Sequence, residues 1–416
     1  MPAAAPAEPP TPLRSWLGFA AFYAAAFAVL AVYMQFFPAW LHGAGGLKEA
    51  EVSVVMAAQT VARTLLGTYW AHRVDRRGDA RPILLGLAAA SVGAFALFGV
   101  APGLVGFAVV AFLFGSLFSP MYPICDAAAM QAAAAQGQSF GRMRGVGSAA
   151  YMLALLAMGA LVQRSGLAPT YGVLLVGMMA MAATALLLPR AHGHLGATAG
   201  AAAAATANSA TPPWTTLLAQ PSLWLLLGAA ALIQGSHATF YNLSTVHWAD
   251  RGIDASVASI VWAEGILAEI LLFWFARTTV DRLRPTTLML AGAAAAVVRW
   301  CVVGATTDVG LLLATGWLHA LSFGCTYVGS RRALDRRVPA PLRATAQGLL
   351  GAATSGVGMV VGGLAGGFVY DVAAGGAFFA MAAFAGAGGW LAWRLRRAMD
   401  IATARPPSAS QSDAAT

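Results

Sequence analysis

Apolar runs, each long enough to cross a lipid bilayer, repeat along almost the whole of this 416-residue chain. A helix needs about 20 apolar residues to cross a hydrocarbon core about 30 Å thick. Hydrophobic residues make up 59% of the sequence and charged residues only 10%, so few polar residues remain for a soluble domain. The sequence therefore predicts an all-α integral membrane protein.

The apolar runs, read against the Arg, Pro and Gly residues that bound them, predict about twelve transmembrane helices. Their predicted extents are residues 15–41, 50–71, 82–101, 103–133, 142–163, 169–188, 222–246, 255–276, 286–306, 309–330, 344–369 and 376–393. A low-complexity stretch of Ala, Gly, Ser, Thr and Pro follows the sixth span and behaves as a linker. The predicted domains are an N-terminal tail (1–14), a six-helix bundle (15–190), a linker (191–221), a second six-helix bundle (222–397) and a disordered C-terminal tail (398–416).

The basic residues between these spans lie mostly in alternate loops. If the N-terminus is cytoplasmic, the only basic loop residues on the opposite side of the membrane are Lys48, Arg164 and Arg251. The positive-inside rule therefore predicts that both termini and the linker are cytoplasmic. The predicted location of the protein is the inner (plasma) membrane. The same rule accounts for the net charge of +9, so no nucleic-acid partner is predicted.

Several charged or titratable side chains lie inside the apolar runs: Arg63, Asp126, His237, Glu264, Glu269, Arg299 and His319. A charge in lipid costs at least ~2.5 kcal/mol, so such residues commonly mark an ion or substrate pathway. The sequence contains no GxxxxGK[ST] phosphate loop, no HExxH metal motif and no nucleophile motif. It therefore predicts a transporter that is not driven by ATP, binds no cofactor or metal, and is not an enzyme.

The loop after the second span, AHRVDRRGDAR, matches a GxxxDRxGRR signature at Asp75, Arg76 and Gly78, and departs from it at Ala71 and Asp79. The second half carries a related loop, WFARTTVDRLRP. In these features the chain resembles the major facilitator superfamily. The resemblance implies two pseudo-symmetric six-helix bundles with substrate bound between them at the membrane midplane. It also implies that Asp75, Arg76 and Gly78 form a gating loop that latches the two halves on the cytoplasmic side.

Five further segments resemble one branch of that superfamily, the phenylpropionate permeases, which are related to lactose permease. These segments are FGRMRGVGS (140–148), QGSHATFYN (234–242), WAEGILAEI (262–270), LHALSFG (318–324) and RATAQGL (343–349). The resemblance implies that an acid and an arginine hold the substrate in the first half. It also implies that coupling residues lie on the eighth to tenth helices.

Asp126 lies late in the fourth span, after two prolines, and Arg144 lies at a similar depth where the fifth span begins. This placement predicts an ion pair between neighbouring helices, with a role in substrate binding. A purely structural ion pair at the cytoplasmic mouth is the alternative.

Glu269, Arg299 and His319 lie near mid-membrane on three consecutive spans. This placement predicts proton coupling, because burial and neighbouring charges shift the proton affinity of a carboxylate. A static salt bridge between Glu269 and Arg299 is the alternative.

Gln234, His237 and Tyr241 follow the i, i+3, i+7 spacing of one helical face and predict further substrate contacts. The alternative for His237 is a hydrogen-bonded packing residue.

The sequence allows more than one role for two further charged residues. Glu264 lies about 140° around the helix from Glu269, at about 100° per residue. It either lines the cavity or meets Arg251 or a neighbouring helix. Arg63 either neutralises a substrate carboxylate or extends toward water, and we favour a structural role for it.

The sequence thus predicts a secondary active transporter that works by alternating access. Its predicted activity is proton-coupled symport of a small organic solute, namely an aromatic or other monocarboxylate such as a phenylpropionate-like acid, with Arg144 or Arg299 neutralising the carboxylate. The alternatives are a sugar or nucleoside proton symporter and an efflux permease of the same fold. The predicted partners are the solute, protons and the lipid bilayer, and the resemblance implies a monomer.

Overall fold

The structure is a computed structural model that describes residues 11–190, 217–275, 280 and 282–404. Most of the predicted linker (191–221) and the outer parts of both predicted tails lie outside these residues. So do Arg277 and Arg405, two of the basic residues whose distribution predicts the orientation. The described part of the chain is almost entirely helical and contains no strand. The predicted all-α fold class is therefore confirmed.

Twelve long helical segments can be followed through the described residues. They are α1 (Pro12–Gly43), α2 (Glu49–Arg77), α3 (Arg81–Gly99), α4 (Gly103–Ala135), α5 (Phe140–Ser165), α6 (Pro169–Ala185), α7 (Pro221–Ala249), α8 (Ala255–Phe275), α9 (Pro285–Ala305), α10 (Val309–Asp335), α11 (Thr345–Ala373) and α12 (Gly376–Ala404). Ten of these are long and apolar enough to cross a membrane. Of the other two, α6 has only 17 residues, and α2 is less apolar because polar residues such as Gln59 and Arg63 interrupt it.

The ends of several helices follow from local sequence. Proline occupies the first turn of α1, α3, α6, α7 and α9, where its missing N–H costs no helical hydrogen bond. The side chains of Thr11, Ser139 and Asp308 accept hydrogen bonds from backbone N–H groups at the starts of α1, α5 and α10. These signals place the helix boundaries close to those predicted from the sequence.

The two halves of the chain pack their helices in the same pattern. In the first half, α1 packs on α5 and α6, α2 packs on α4, and α3 packs on α4 and α6. In the second half, α7 packs on α11 and α12, α8 packs on α10, and α9 packs on α10 and α12. Between the halves, α1 meets α7, α2 meets α11, and α5 meets α8. Exchanging the halves maps the contact between α1 and α7 onto itself and every other contact in this set onto its equivalent, so the predicted pseudo-symmetric bundles are confirmed. We propose that the bundles extend over the predicted ranges 15–190 and 222–397.

The molecule is closed at one face and open at the other. The twelve helices run alternately in opposite directions, so both described chain ends lie on one face. We call this the terminal face and the opposite face the distal face. Nearly all residues of α1 from 31 to 41 and of α7 from 238 to 248, which lie toward the distal face, are buried. The part of α2 nearest the terminal face, residues 61–73, is largely exposed. The space between the halves therefore opens toward the terminal face.

Two equivalent polar contacts join the halves at the distal face. The Asp371 carboxylate at the end of α11 accepts a hydrogen bond of 3.0 Å from the Ala50 N–H at the start of α2. The Asp254 carboxylate, just before α8, accepts one of 2.8 Å from the Gln163 amide near the end of α5. Exchanging the halves relates the α2–α11 contact to the α8–α5 contact. A carboxylate at a helix N-terminus is favourable, so Asp371 of one half stabilises the closed distal face at the start of α2 in the other half, whereas Asp254 links the halves through the hydrogen bond from Gln163.

Removing one of these contacts should loosen the distal face. Ser259, near the start of α8, is fully buried against α5 and does not line the space between the halves, so a cysteine at this position reports distal opening by its rate of thiol labelling in a background without the native cysteines. Because Asp371 is exposed, its contact contributes only about 1 kcal/mol, and we expect Asp371→Ala to raise labelling about five-fold. Asp308→Ala is the matched control, because it removes a carboxylate cap within one half. Equal labelling in the two variants would contradict a role for Asp371 in closure.

The second half contains a close helix crossing that depends on glycine. A Cβ atom at Gly362 of α11 would overlap the backbone carbonyl of Gly235 in α7, and a Cβ at Gly358 would lie 2.5 Å from the Ala231 carbonyl oxygen. Small residues allow this approach of the two backbones. The crossing holds α11 against α7 beside the space between the halves.

Candidate functional site

The space between the halves contains two adjoining compartments. The first, of about 440 Å³, is lined by residues of α1, α2, α4, α5, α7 and α11. The second, of about 350 Å³, is lined by residues of α8, α9 and α10 as well as α1, α2, α5, α7 and α11. Leu30, Met34, Arg63, Tyr241 and Met359 line both compartments, so the two share a wall. Each volume lies within the ~300–1,000 Å³ typical of ligand sites.

Irregular helix segments shape these compartments. α4 is interrupted where Pro120 follows Ser119, because proline cannot donate a backbone hydrogen bond. α7 is interrupted at His237. α10 and α11 each contain a π-helical turn, at Ala320–Cys325 and Ala352–Gly358. Such turns are often found at functional sites, because they turn side chains and backbone groups away from the regular helical pattern.

The predicted pair of Asp126 and Arg144 is present at the first compartment. Arg144 Nε lies 3.1 Å from Asp126 Oδ1, and the Tyr23 hydroxyl donates a hydrogen bond of 2.7 Å to the same oxygen. The Arg144 guanidinium lies 4.3 Å from the centre of the Phe27 ring, and both residues line the compartment. The structure thus brings the pair together as predicted, and it adds Phe27, an apolar residue that has no signal of a binding role in the sequence. The role of the pair in substrate binding remains a prediction.

The predicted coupling group of Glu269, His319 and Arg299 is contiguous. Arg299 Nη1 lies 3.2 Å from His319 Nδ1, and His319 Nε2 lies 3.8 Å from Glu269 Oε2. Because an arginine can only donate, Nδ1 must accept this hydrogen bond, and in the neutral ring the proton is then on Nε2, which faces Glu269. In the described part of the chain, Glu269 and Arg299 are not in direct salt-bridge contact, since His319 lies between them. The arrangement differs from the simple two-residue salt bridge considered as the alternative.

Arg299 is almost completely buried, with 2% of its surface exposed. Its guanidinium lies 4.3 Å from the Phe240 ring centre and 4.8 Å from that of Trp300, so two aromatic faces stabilise the charge. Arg299 and His319 both line the second compartment. A solute or proton in this compartment therefore reaches the coupling group directly.

The predicted face of Gln234, His237 and Tyr241 is divided in the structure. Gln234 and Tyr241 line the second compartment. His237 is fully buried, with Nδ1 3.1 Å from the Ile233 carbonyl oxygen and Nε2 3.0 Å from Ser322 Oγ. It lies behind the lining because the irregularity of α7 changes the direction of side chains after residue 236. The roles of all three residues in substrate binding remain predictions.

Glu264 lies outside both compartments and faces a neighbouring helix. A Cβ atom at Gly316 of α10 would lie 2.8 Å from Glu264 Oε2, so the carboxylate packs against α10. Arg251, another predicted neighbour, contacts His247 instead, with Nη1 2.8 Å from Nδ1. Of the possibilities left open by the sequence, the structure selects the neighbouring helix.

Arg63 occupies a more central position than the sequence indicated. It lines both compartments, and its Nη2 donates a hydrogen bond of 2.7 Å to the Ser355 carbonyl oxygen in the π-helical turn of α11. The sequence signal for such a role was a lone arginine in an apolar span.

The predicted gating loop lies at the terminal face, where α2 ends. Gly78 has a φ of 71°, in the left-handed region that favours glycine, and its N–H bonds the Val74 carbonyl to end the helix. Asp75 and Arg76 lie on the exposed last turn of α2. This geometry explains the glycine, while the gating role of the loop remains a prediction.

Comparison with known proteins gave matches that cover most of the chain. The model of the MFS_1 like family matches residues 16–381. Over 351 residues the chain is 26% identical to a protein of Escherichia coli (strain K12) named "Probable 3-phenylpropionic acid transporter", covering 84% of this chain and 90% of that protein. Over 369 residues it is 27% identical to the maltose permease of Geobacillus stearothermophilus, covering 86% and 87% respectively. A crystal structure of a mutant of the nucleoside transporter NupG has a TM-score of 0.78 at 14% identity, covering 91% of this chain and 99% of that one.

Proposed function

The chain belongs to the MFS_1 like family, in agreement with the resemblance seen in its sequence, and we propose that it is a proton-coupled symporter of an aromatic monocarboxylate. Because its family and relatives are transporters, the chain is a multi-pass membrane transporter and not an enzyme. The proposal specifies the charge and the shape of the solute and the ion to which its transport is coupled.

The charge of the cavity lining carries the proposal. Within the described residues, the ionic side chains that line the first compartment are Arg63 and Arg144, and those that line the second are Arg63, Arg299 and Arg331. An arginine lining attracts an anion and can hold a carboxylate with two parallel hydrogen bonds. Aromatic side chains complete the lining, among them Tyr122 in the first compartment and Trp262 in the second. An anion with an aromatic ring fits this combination.

The coupling group supports proton symport. His319 connects the Glu269 carboxylate to the Arg299 guanidinium, and His319 and Arg299 face the second compartment. A proton bound at Glu269 removes a negative charge next to the anionic solute. Protonation and solute binding therefore favour each other, as symport requires.

The relatives add support for the aromatic acid and define the main alternative. The E. coli relative is described as a probable transporter of 3-phenylpropionic acid, which is an aromatic monocarboxylate. The Geobacillus relative is a maltose permease, so a sugar is the solute class to test against it. An arginine-rich, aromatic lining favours the acid.

The orientation follows from the positive-inside rule. Most of the loop arginines lie on the terminal face, and this bias places both termini in the cytoplasm. The structure then corresponds to a conformation open to the cytoplasm and closed toward the outside. In this proposal the protein acts as a monomer in the inner membrane, and the roles proposed for Asp75, Arg76 and Gly78 belong to the closure of the cytoplasmic face.

Purified protein in proteoliposomes that contain a pH-sensitive dye tests the proposal. We expect 3-phenylpropionate to drive proton movement into the vesicles beyond the rate in protein-free liposomes, since the protonated acid also crosses a bilayer unaided. Maltose and a nucleoside should neither drive proton movement nor compete with the acid. Proton movement driven by maltose or by the nucleoside, with none above background for aromatic acids, would overturn the proposal.

A further inference from the structure

We propose that Arg63 binds the carboxylate of the transported solute, at a site in the wall shared by the two compartments. The inference rests on the proposed transport of a monocarboxylate, and it differs from the structural role that the sequence alone favours for this residue. It also differs from an assignment of the carboxylate to Arg144 or Arg299.

The other arginines of the lining are already engaged by protein groups. Arg144 is paired with the Asp126 carboxylate at 3.1 Å. Arg299 contacts His319 and lies against two aromatic rings. Arg331 donates to Gln347 Oε1 at 2.8 Å, and the Gln347 amide in turn donates to Asp335 Oδ1 at 2.9 Å.

Arg63 differs from these arginines in its charge balance. Among the described residues it has no carboxylate within salt-bridge distance, and its hydrogen-bond partner is the neutral Ser355 carbonyl. A guanidinium has five N–H donors, so donors remain for a ligand. A cation inside a membrane protein without an acidic partner is costly, and binding an anion removes this cost.

The surface of Arg63 faces the cavity and not the lipid. The residue is exposed, yet it lines both compartments, so solutes that enter from the terminal face reach its guanidinium. Tyr241 lines the same two compartments and places an aromatic side chain within the shared wall. A carboxylate at Arg63 leaves the apolar part of the solute among aromatic residues on either side.

The acceptor that now holds Arg63 is a backbone carbonyl within the π-helical turn of α11, where the regular hydrogen-bond pattern is broken. In a regular helix the Met359 N–H would bond the Ser355 carbonyl, four residues earlier, but here it bonds the Gly356 carbonyl. A carboxylate offers two charged oxygens and binds a guanidinium more strongly than a neutral carbonyl does. The solute carboxylate can therefore replace Ser355 as the partner of Arg63.

This exchange of partners bears on transport, because Arg63 and Ser355 belong to different halves. Arg63 is on α2 and Ser355 is on α11, which are among the helices that join the halves. Binding of a carboxylate to Arg63 thus changes a contact between the bundles at the centre of the molecule. A neutral analogue of the solute would not make this change.

Calorimetric titration of the purified full-length protein at pH 7.5 tests the site, with 3-phenylpropionate and its uncharged amide as the two probes. We expect Arg63→Gln to weaken binding of the acid about 30-fold or more, as for loss of a bidentate ion pair, and to change binding of the amide by less than about three-fold. Arg63→Lys, which keeps the charge but not the paired donors, should lose about five- to ten-fold. Arg164→Gln removes an exposed arginine outside the cavity and serves as the matched control.

The outcomes separate this inference from the proposed function. If Arg63→Gln binds the acid as tightly as the unchanged protein does, Arg63 is not the anchor, while transport of the acid stands. Equal losses for acid and amide would also overturn the inference, because they indicate a distorted cavity. If the unchanged protein binds no aromatic acid, the proposed function fails and this site fails with it. Should Arg63→Gln not fold, an unaltered acid affinity in Arg63→Lys would still contradict the paired hydrogen bonds.

Discussion

Glu269→Gln should abolish accumulation of the solute against its gradient while exchange of solute across the membrane continues. The amide cannot bind and release a proton, so a proton gradient can no longer drive uptake, and the solute should only equilibrate. Glutamine keeps the size of the side chain and a polar group next to His319, whose Nε2 lies 3.8 Å from the Glu269 carboxylate. Accumulation driven by an imposed pH gradient and exchange of labelled solute without a gradient, measured in proteoliposomes, check the two parts of this prediction.

A second carboxylate on the same helix provides the control for Glu269. Glu264 lies outside both compartments against α10, so Glu264→Gln should retain accumulation driven by the gradient. Exchange by Glu269→Gln should also lose its dependence on pH. Loss of exchange together with accumulation in Glu269→Gln would instead assign Glu269 to solute binding or to the fold, and retained accumulation would exclude it from coupling.

Arg144→Gln is expected to weaken uptake strongly, because it leaves the Asp126 carboxylate without its partner beside a cavity that takes an anion. Breaking a buried ion pair costs ~3–5 kcal/mol. Because Asp126 and Arg144 are about one-third exposed, we expect the loss of this pair to cost only about 1–2 kcal/mol, which corresponds to about a 5- to 30-fold loss of apparent affinity for the solute. The half-saturating solute concentration for uptake measures this loss.

The double variant distinguishes a pair that acts as a unit from two independent residues. Asp126→Asn combined with Arg144→Gln removes both charges, so uptake should recover part of what Arg144→Gln alone loses. Measuring uptake in both single variants and the double variant yields the coupling between the two sites. Additive losses, with the double variant poorer than either single variant, would show that the two residues contribute separately.

The sequence predicts the depth in the membrane of most residues of the candidate site. Asp126 and Arg144 lie at equivalent depths on consecutive spans, and the structure pairs them at 3.1 Å. The sequence likewise predicts Glu269, Arg299 and His319 in one layer near mid-membrane, and the structure connects Glu269 to Arg299 through His319. Each of these residues is conspicuous because a charge or a titratable group is costly in an apolar run.

The residues that the sequence placed less well are those whose direction depends on irregular backbone. The sequence predicts His237 on one face with Gln234 and Tyr241, yet α7 is interrupted at that point and the imidazole is buried behind the lining. Arg63 contacts a carbonyl in a π-helical turn, which has no reliable signal in the sequence. A regular helical wheel cannot predict either contact, because it assumes an unbroken helix.

The sequence alone establishes a polytopic helical membrane protein, the approximate position of its spans and the depth at which each buried charge lies. These properties depend only on position along the chain, because each residue lengthens a helix by about 1.5 Å and every buried charge is costly. Which charges become partners depends on the packing of helices from both halves, including the glycine crossing of α7 and α11. Packing sets the neighbours and the rotation of each helix, and it leaves Arg63 at the shared wall without an acidic partner among the described residues.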